Sequence, residues 1–221
     1  MPSLFQLTEN DNDQLRELVN IGVSHAGDTL SLMMGKHITV SIPGISVQSA
    51  STTLCLPQGD EDLTVSVLLR VYGLINGYVF LFFPRTAALR LLQVLSGKSI
   101  SDVRALDRFD RSIFQELGNV ITGGTLNGLS KFLHIEMLHS VPNVVVDMSG
   151  AIFNSLSASM VKQHEEFLSL DVSICIDSPS SSAVCVDSEA SAARMYLFMG
   201  PDAVERILAI TNAMIGKKND L

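Results

Sequence analysis

A glutamate and an asparagine stand three residues apart twice in this chain, as Glu17 with Asn20 and again as Glu116 with Asn119. Asparagine has no useful acidity, but its carbonyl oxygen accepts and its amide donates, which suits it to hold a water molecule. Glutamate is an anion that can pair with a lysine brought by another protein. Each pair is flanked at matching positions. Asp13 lies four residues before Glu17 and Ser112 four before Glu116, while Pro43 and Pro142 follow the asparagines at equal distance. Every one of these couples stands 99 positions apart, with no insertion between them. Thr29-Leu30-Ser31 and Gly128-Leu129-Ser130 keep the same offset. A fixed period with matched polar positions marks an internal duplication.

The elements that must position these residues read as two long helices. Asp13, Glu17, Asn20 and Ser24 fall within roughly 60° of arc at about 100° per residue. Leu15, Leu18, Val19, Gly22, Ala26 and Leu30 fall on the opposite side. In the second copy Ser112, Glu116 and Asn119 share the polar stripe, and Phe114, Leu117, Ile121 and Leu129 the apolar one. Glu and Asn therefore point away from the core. Gly22, Gly118, Gly123 and Gly124 are poor helix formers and suggest close backbone approach. For one copy alone, a solvated helix face would be the plain reading. Two copies in register, each with a proline the same distance on, favour a site.

The first helix is expected from the cap candidates Asp11-Asn12-Asp13 to Met34, closed by Gly35. A strand spans His37–Val47, interrupted by Pro43, and two more span Leu63–Tyr72 and Tyr78–Phe83, joined around Gly73 and Asn76-Gly77. Pro84 opens a short helix to Leu95, ended by Gly97. The second half repeats the order: a helix over Asp107–Lys131, a strand over His134–Asp147 containing Pro142, an inserted helix at Gly150–Gln163, strands at Phe167–Asp177 and Ala183–Met199 around a serine turn at Ser178–Ser182, and a last helix from Pro201 to Met214. This predicts an α+β fold, a pseudo-twofold duplicated domain with two long helices plus shorter helices packed on a mainly antiparallel sheet. No linker separates the halves, so residues 1–221 are expected to form a single domain from halves at about 11–96 and 107–214.

Hydrophobic residues make up 47% of the 221 and charged ones 17%, which indicates a packed globule. Net charge is −8 and no basic run occurs, which argues against nucleic acid or an anionic membrane surface as partner. Cys55, Cys175 and Cys185 show no CxxC spacing, and the five histidines are scattered, so neither a disulfide framework nor a zinc site is indicated. His25 lies about 100° off the polar stripe, which suggests core or rim packing. The N-terminus lacks a secretion signal and no apolar run could span a bilayer, so a cytoplasmic location is expected. No Gly-x-Ser-x-Gly elbow or P-loop occurs.

The pattern Asp or Ser, three residues, Glu, two residues, Asn, then twenty-two residues and Pro resembles the signature of the CheC/CheX/FliY phosphatases of bacterial and archaeal chemotaxis. The resemblance extends through Leu-Val-Asn-Ile-Gly at 18–22, Leu-Gly-Asn-Val at 117–120 and Val-Asp-Met-Ser-Gly-Ala-Ile at 146–152. With both copies intact the chain is most similar to the CheC type, since CheX keeps a single site and FliY carries extra segments. The run Val23-Ser24-His25-Ala26 departs from the residues usual in the family after the first Asn-Ile-Gly.

The resemblance implies an aspartyl-phosphate phosphatase acting on phosphorylated CheY, the chemotaxis response regulator. Asn20 and Asn119 would orient the attacking water, and Glu17 and Glu116 would pair with the regulator's lysine. Asp13 and Ser112 would be flanking contacts or helix caps, and Pro43 and Pro142 would be structural. No cofactor is expected on this chain, the Mg²⁺ coming from the response-regulator partner. Phosphoryl transfer suits such a division, because it needs mainly positioning and charge stabilisation. A different class stays open, in which the chain is a non-catalytic adaptor for a response regulator or for the receptor deamidase CheD. CheC relatives bind CheD through a helix that corresponds here to 150–163, where ordinary core packing of Ile152, Leu156 and Met160 is the plainer reading. Two sites in one chain remove one reason to dimerise, so a monomer is expected.

Overall fold

The structure is a computed structural model that describes residues 8–35, 38–49, 62–160, 166–176 and 193–219. Helix α1 spans Glu9–Met34. Strands β1 (Ile38–Ser49), β2 (Leu63–Gly73) and β3 (Gly77–Pro84) follow, then α2 (Arg85–Ser96). After a 3₁₀ turn at Val103–Ala105 come α3 (Arg108–Leu133), β4 (Met137–His139), β5 (Asn143–Met148), α4 (Ser149–Met160), β6 (Glu166–Ile176), β7 (Ala193–Met199) and α5 (Pro201–Asn219). The expected serine turn at Ser178–Ser182, and the proposed strand before Ala193, lie outside the described residues.

The strands form one antiparallel sheet in the order β1-β6-β7-β3-β2, with β4 and β5 sharing the outer edge of β2. Exchange the halves, and β1 takes the place of β4 and β5, β2 of β6, and β3 of β7. The order then reads the same from either edge, with the pseudo-twofold between β3 and β7. One predicted strand, 134–147, is two: β4 pairs Val71–Gly73 and β5 pairs Leu63–Leu68. From His139 to Asn143 is four steps, but their partners Val71 and Leu68 are three apart. β1 slips in the same way between Ser41 and Gly44, whose partners Ser173 and Asp171 are two apart. Pro142 and Pro43 sit at these one-residue slips, where a residue without an N–H costs the ladder nothing.

The two long helices run antiparallel across one face of the sheet. A Cβ on Gly124 would lie 2.8 Å from the Ala26 Cα, and one on Gly118 would lie 2.7 Å from Val67 on β2. Leu15, Leu18, Val19 and Val23 of α1 and Phe114, Leu117 and Ile121 of α3 share a core with Val65, Val67, Leu69, Val71, Leu81 and Met195. The other face carries Phe80, Phe82, Tyr196 and Phe198, covered by Phe153 and Leu156 of α4. Phe153 meets Phe80 edge-on at 4.8 Å between centroids. β7 is buried along its whole length because both faces are covered.

Helix starts differ from expectation in an instructive way. The N-cap of α1 is Thr8, whose hydroxyl accepts from the Asp11 N–H while Asp11 accepts from the Thr8 N–H. Asp107 and Asp110 form the same reciprocal box on α3. These boxes too are 99 positions apart. Asp13 and Ser112 are therefore not caps, since each lies a full turn inside its helix. Pro84 ends β3 and α2 begins at Arg85, while α5 continues past Met214 to Asn219.

Candidate functional site

Amphipathic periodicity settles which way each motif faces. Glu17 and Asn20 are exposed, whereas their neighbours Leu15, Leu18 and Val19 are buried against the sheet. Glu116 and Asn119 are likewise exposed between buried Phe114, Leu117 and Gly118. Glu and Asn one turn apart thus share an outward face on each helix. Because α1 and α3 are antiparallel and Gly22 faces Gly128, Asn20 lies about level with Ser130. That places it roughly 16 Å along the helix axis from Asn119, at 1.5 Å per residue. The sequence motif therefore becomes two separate surface patches, one toward each end of the helix pair.

The flanking residues have distinct fates. Asp13 is exposed on the same face as Glu17. Ser112 turns its hydroxyl back to donate to the Phe109 carbonyl at 2.6 Å, so it is engaged within its own helix. Pro142 is buried, and its carbonyl accepts from Gln115 Nε2 at 3.5 Å, which ties the slip between β4 and β5 to the residue before Glu116. Pro43 lies at the slip in β1, and its side chain lies outside the described residues. His25 is exposed rather than packed in the core.

Sequence reasoning missed what surrounds the first pair. Glu17 lines a groove of about 510 Å³ with Gln14 and Leu18 of α1, Lys131 and Phe132 of α3, and Thr211 and Met214 of α5. It also missed Lys98, whose ammonium lies 2.6 Å from Asp107 and 2.9 Å from the buried Asp110 carboxylate at the start of α3. The signal was present in the Asp107-x-x-Asp110 spacing, which reads as a capping box once the helix start is known. Hydrogen bonding from Lys98, followed by the Asp110 backbone N–H, holds the Asp107 carboxyl below its usual range. The Lys98 ammonium is held above its own, mainly by that same hydrogen bond. Among the described residues no cluster of three or more His, Cys, Asp or Glu side chains is placed to hold a metal ion. No helix among them is long and apolar enough to cross a membrane.

Each exposed pair sets a carboxylate that can accept from a cation beside a carboxamide that can hold a water.

Residues 109–146 match the model of the CheC-like family, a segment that contains Ser112, Glu116, Asn119 and Pro142. Over 175 residues the chain is 27% identical to "CheY-P phosphatase CheC" of Bacillus subtilis (strain 168), covering 78% of this chain and 84% of that protein. Among solved structures, Thermotoga maritima FliY superposes with a TM-score of 0.71 at 18% identity, over 95% of this chain and 99% of that one. The FliM middle domain of H. pylori superposes with a TM-score of 0.58 at 13% identity, over 92% and 99%. The chain thus resembles the CheC/CheX/FliY family in sequence and in fold alike.

Proposed function

We propose that this chain is a phosphatase for the aspartyl phosphate of a CheY-type response regulator. The observation that carries the reading is the outward exposure of both Glu–Asn pairs on equivalent faces of α1 and α3. The sequence relative named as a CheY-P phosphatase supports it. In this reading each long helix enters the regulator's active site. The carboxamide of Asn20 or Asn119 accepts from and donates to one water, holding its oxygen in line with the phosphorus–oxygen bond. The water oxygen bonds to phosphorus and the bond to the aspartyl oxygen breaks. The aspartate leaves as a carboxylate, and the water's protons pass to phosphate and solvent. Glu17 or Glu116 pairs with the regulator's lysine and fixes the approach of the helix. Mg²⁺, held by the regulator, supplies charge neutralisation at the phosphoryl oxygens.

The test is phosphate release from phosphorylated CheY. Asn20→Ala combined with Asn119→Ala abolishes the acceleration and leaves the fold intact. Full activity in that double variant would rule the mechanism out.

FliM middle domains share this fold, and fold alone does not decide catalysis. The second reading is therefore a non-catalytic adaptor, binding a response regulator or, through α4, the deamidase CheD. Phe153 and Leu156 commit one face of α4 to the core, leaving Ala151, Asn154 and Ser155 outside. A wild-type chain that binds the regulator but does not speed its phosphate loss would favour this reading.

A further inference from the structure

The two Glu–Asn pairs share a motif but not their surroundings. Glu17 lines one groove with Lys131 and His134, a groove that α3 and α5 complete. Helix α5 is fastened there, since the Thr211 hydroxyl donates to Gln14 Oε1 at 2.9 Å and Gln14 Nε2 donates to Asn212 Oδ1 at 3.1 Å. Its counterpart in the first half, α2, has 12 residues against 19. The position that matches Lys131 across the 99-residue offset is Leu32, which is 86% exposed near the end of α1. Antiparallel packing sets that end of α1 beside the half of α3 that carries Glu116. A lysine therefore borders the first site where a leucine borders the second.

We propose that Lys131 handicaps the first site against a lysine-bearing partner, so that Glu116 and Asn119 form the faster of the two sites. The inference rests on the reading of Glu17 and Glu116 as acceptors for the regulator's lysine. The ion pairs among the described residues are those of Lys98 with Asp107 and Asp110, and the exposed Glu17 carboxylate is available to a visitor. The Lys131 ammonium opposes an incoming ammonium and offers Glu17 a cation from its own chain. Both effects are Coulombic and are screened by salt. Leu32 has neither effect.

The test measures phosphate loss from phosphorylated CheY with Mg²⁺, using Asn119→Ala to isolate the first site and Asn20→Ala to isolate the second. The Asn20→Ala protein is expected to be the faster. Lys131→Leu in the Asn119→Ala background raises the rate about two- to fivefold, and Leu32→Lys in the Asn20→Ala background lowers it by a similar factor. Both differences shrink at about 1 M salt, where the Debye length is near 3 Å. Both residues are exposed, and unchanged thermal midpoints confirm that the variants fold. A rate unchanged or lowered by Lys131→Leu, or unmoved by Leu32→Lys, overturns the inference while the single asparagine variants still show both sites at work. If the double asparagine variant keeps full activity, the reading of the sites fails and this inference fails with it.

Discussion

Gly128 of α3 lies directly on Gly22 of α1: a Cβ on Gly128 would come within 2.7 Å of the Gly22 Cα, and 3.4 Å of its nitrogen. The atoms in the way are backbone, which cannot swing aside. Gly128→Ala must therefore push the two long helices apart and loosen their grip on the sheet. The expected cost is about 1–3 kcal/mol, or a fall in Tm of roughly 2–4 °C for each kcal/mol in a chain of this size. Gly35→Ala, where no atom lies within 4 Å of the added carbon but φ is +59°, separates backbone strain from this steric effect. Thermal melts followed by circular dichroism check both.

Glu17→Ala and Glu116→Ala should behave in the opposite way. Both side chains are exposed and hold up nothing beneath them. Stability changes by less than about 0.5 kcal/mol for each, while affinity for the regulator drops. Urea denaturation paired with regulator binding separates the two effects. A large loss of stability would mean that the carboxylates serve the fold instead.

The start of α3 predicts a dependence on pH. The Asp107 carboxyl is held low in the folded protein, so its contribution is fully present above the unfolded value near 3.8 and is lost as pH falls through the lower folded one. Lys98 has the opposite sign. Held high, it contributes below 10.5, and the contribution is lost as pH rises through the raised folded value. Asp107→Asn keeps a good N-cap but removes the charge. The urea midpoint of this variant should change less than that of the wild type below about pH 4. Its alkaline loss should shrink but persist, because Asp110 still binds Lys98.

Phe153 joins α4 to the second face of the sheet, edge-on to Phe80 at 4.8 Å and to Tyr196 at 5.9 Å. Phe153→Ala removes the middle of that cluster and should cost about 3–5 kcal/mol. The Glu–Asn helices lie on the opposite face, so phosphate release per folded molecule is expected to hold. The check is activity normalised to the native fraction.

Much of this molecule was legible in residue order alone. Heptad-like spacing from Leu15 to Leu30 and from Phe114 to Leu129 shows which helix sides are buried, and so turns Glu17, Asn20, Glu116 and Asn119 outward. The constant offset between halves foretells the symmetry, and the alternation along β2 and the glycines near β3 mark the central hairpin. Tertiary structure alone decided the palindromic strand order, the pairing partners on either side of Pro43 and Pro142, the fastening of Gln14 to α5 and the placing of Glu17 and Lys131 on one groove. The reason is physical. Periodicity is local and records only that a face is apolar, while burial is non-directional and does not say which distant segment will cover it. Gly22, Gly124 and Gly128 select that partner by shape, and shape exists only once the chain has folded.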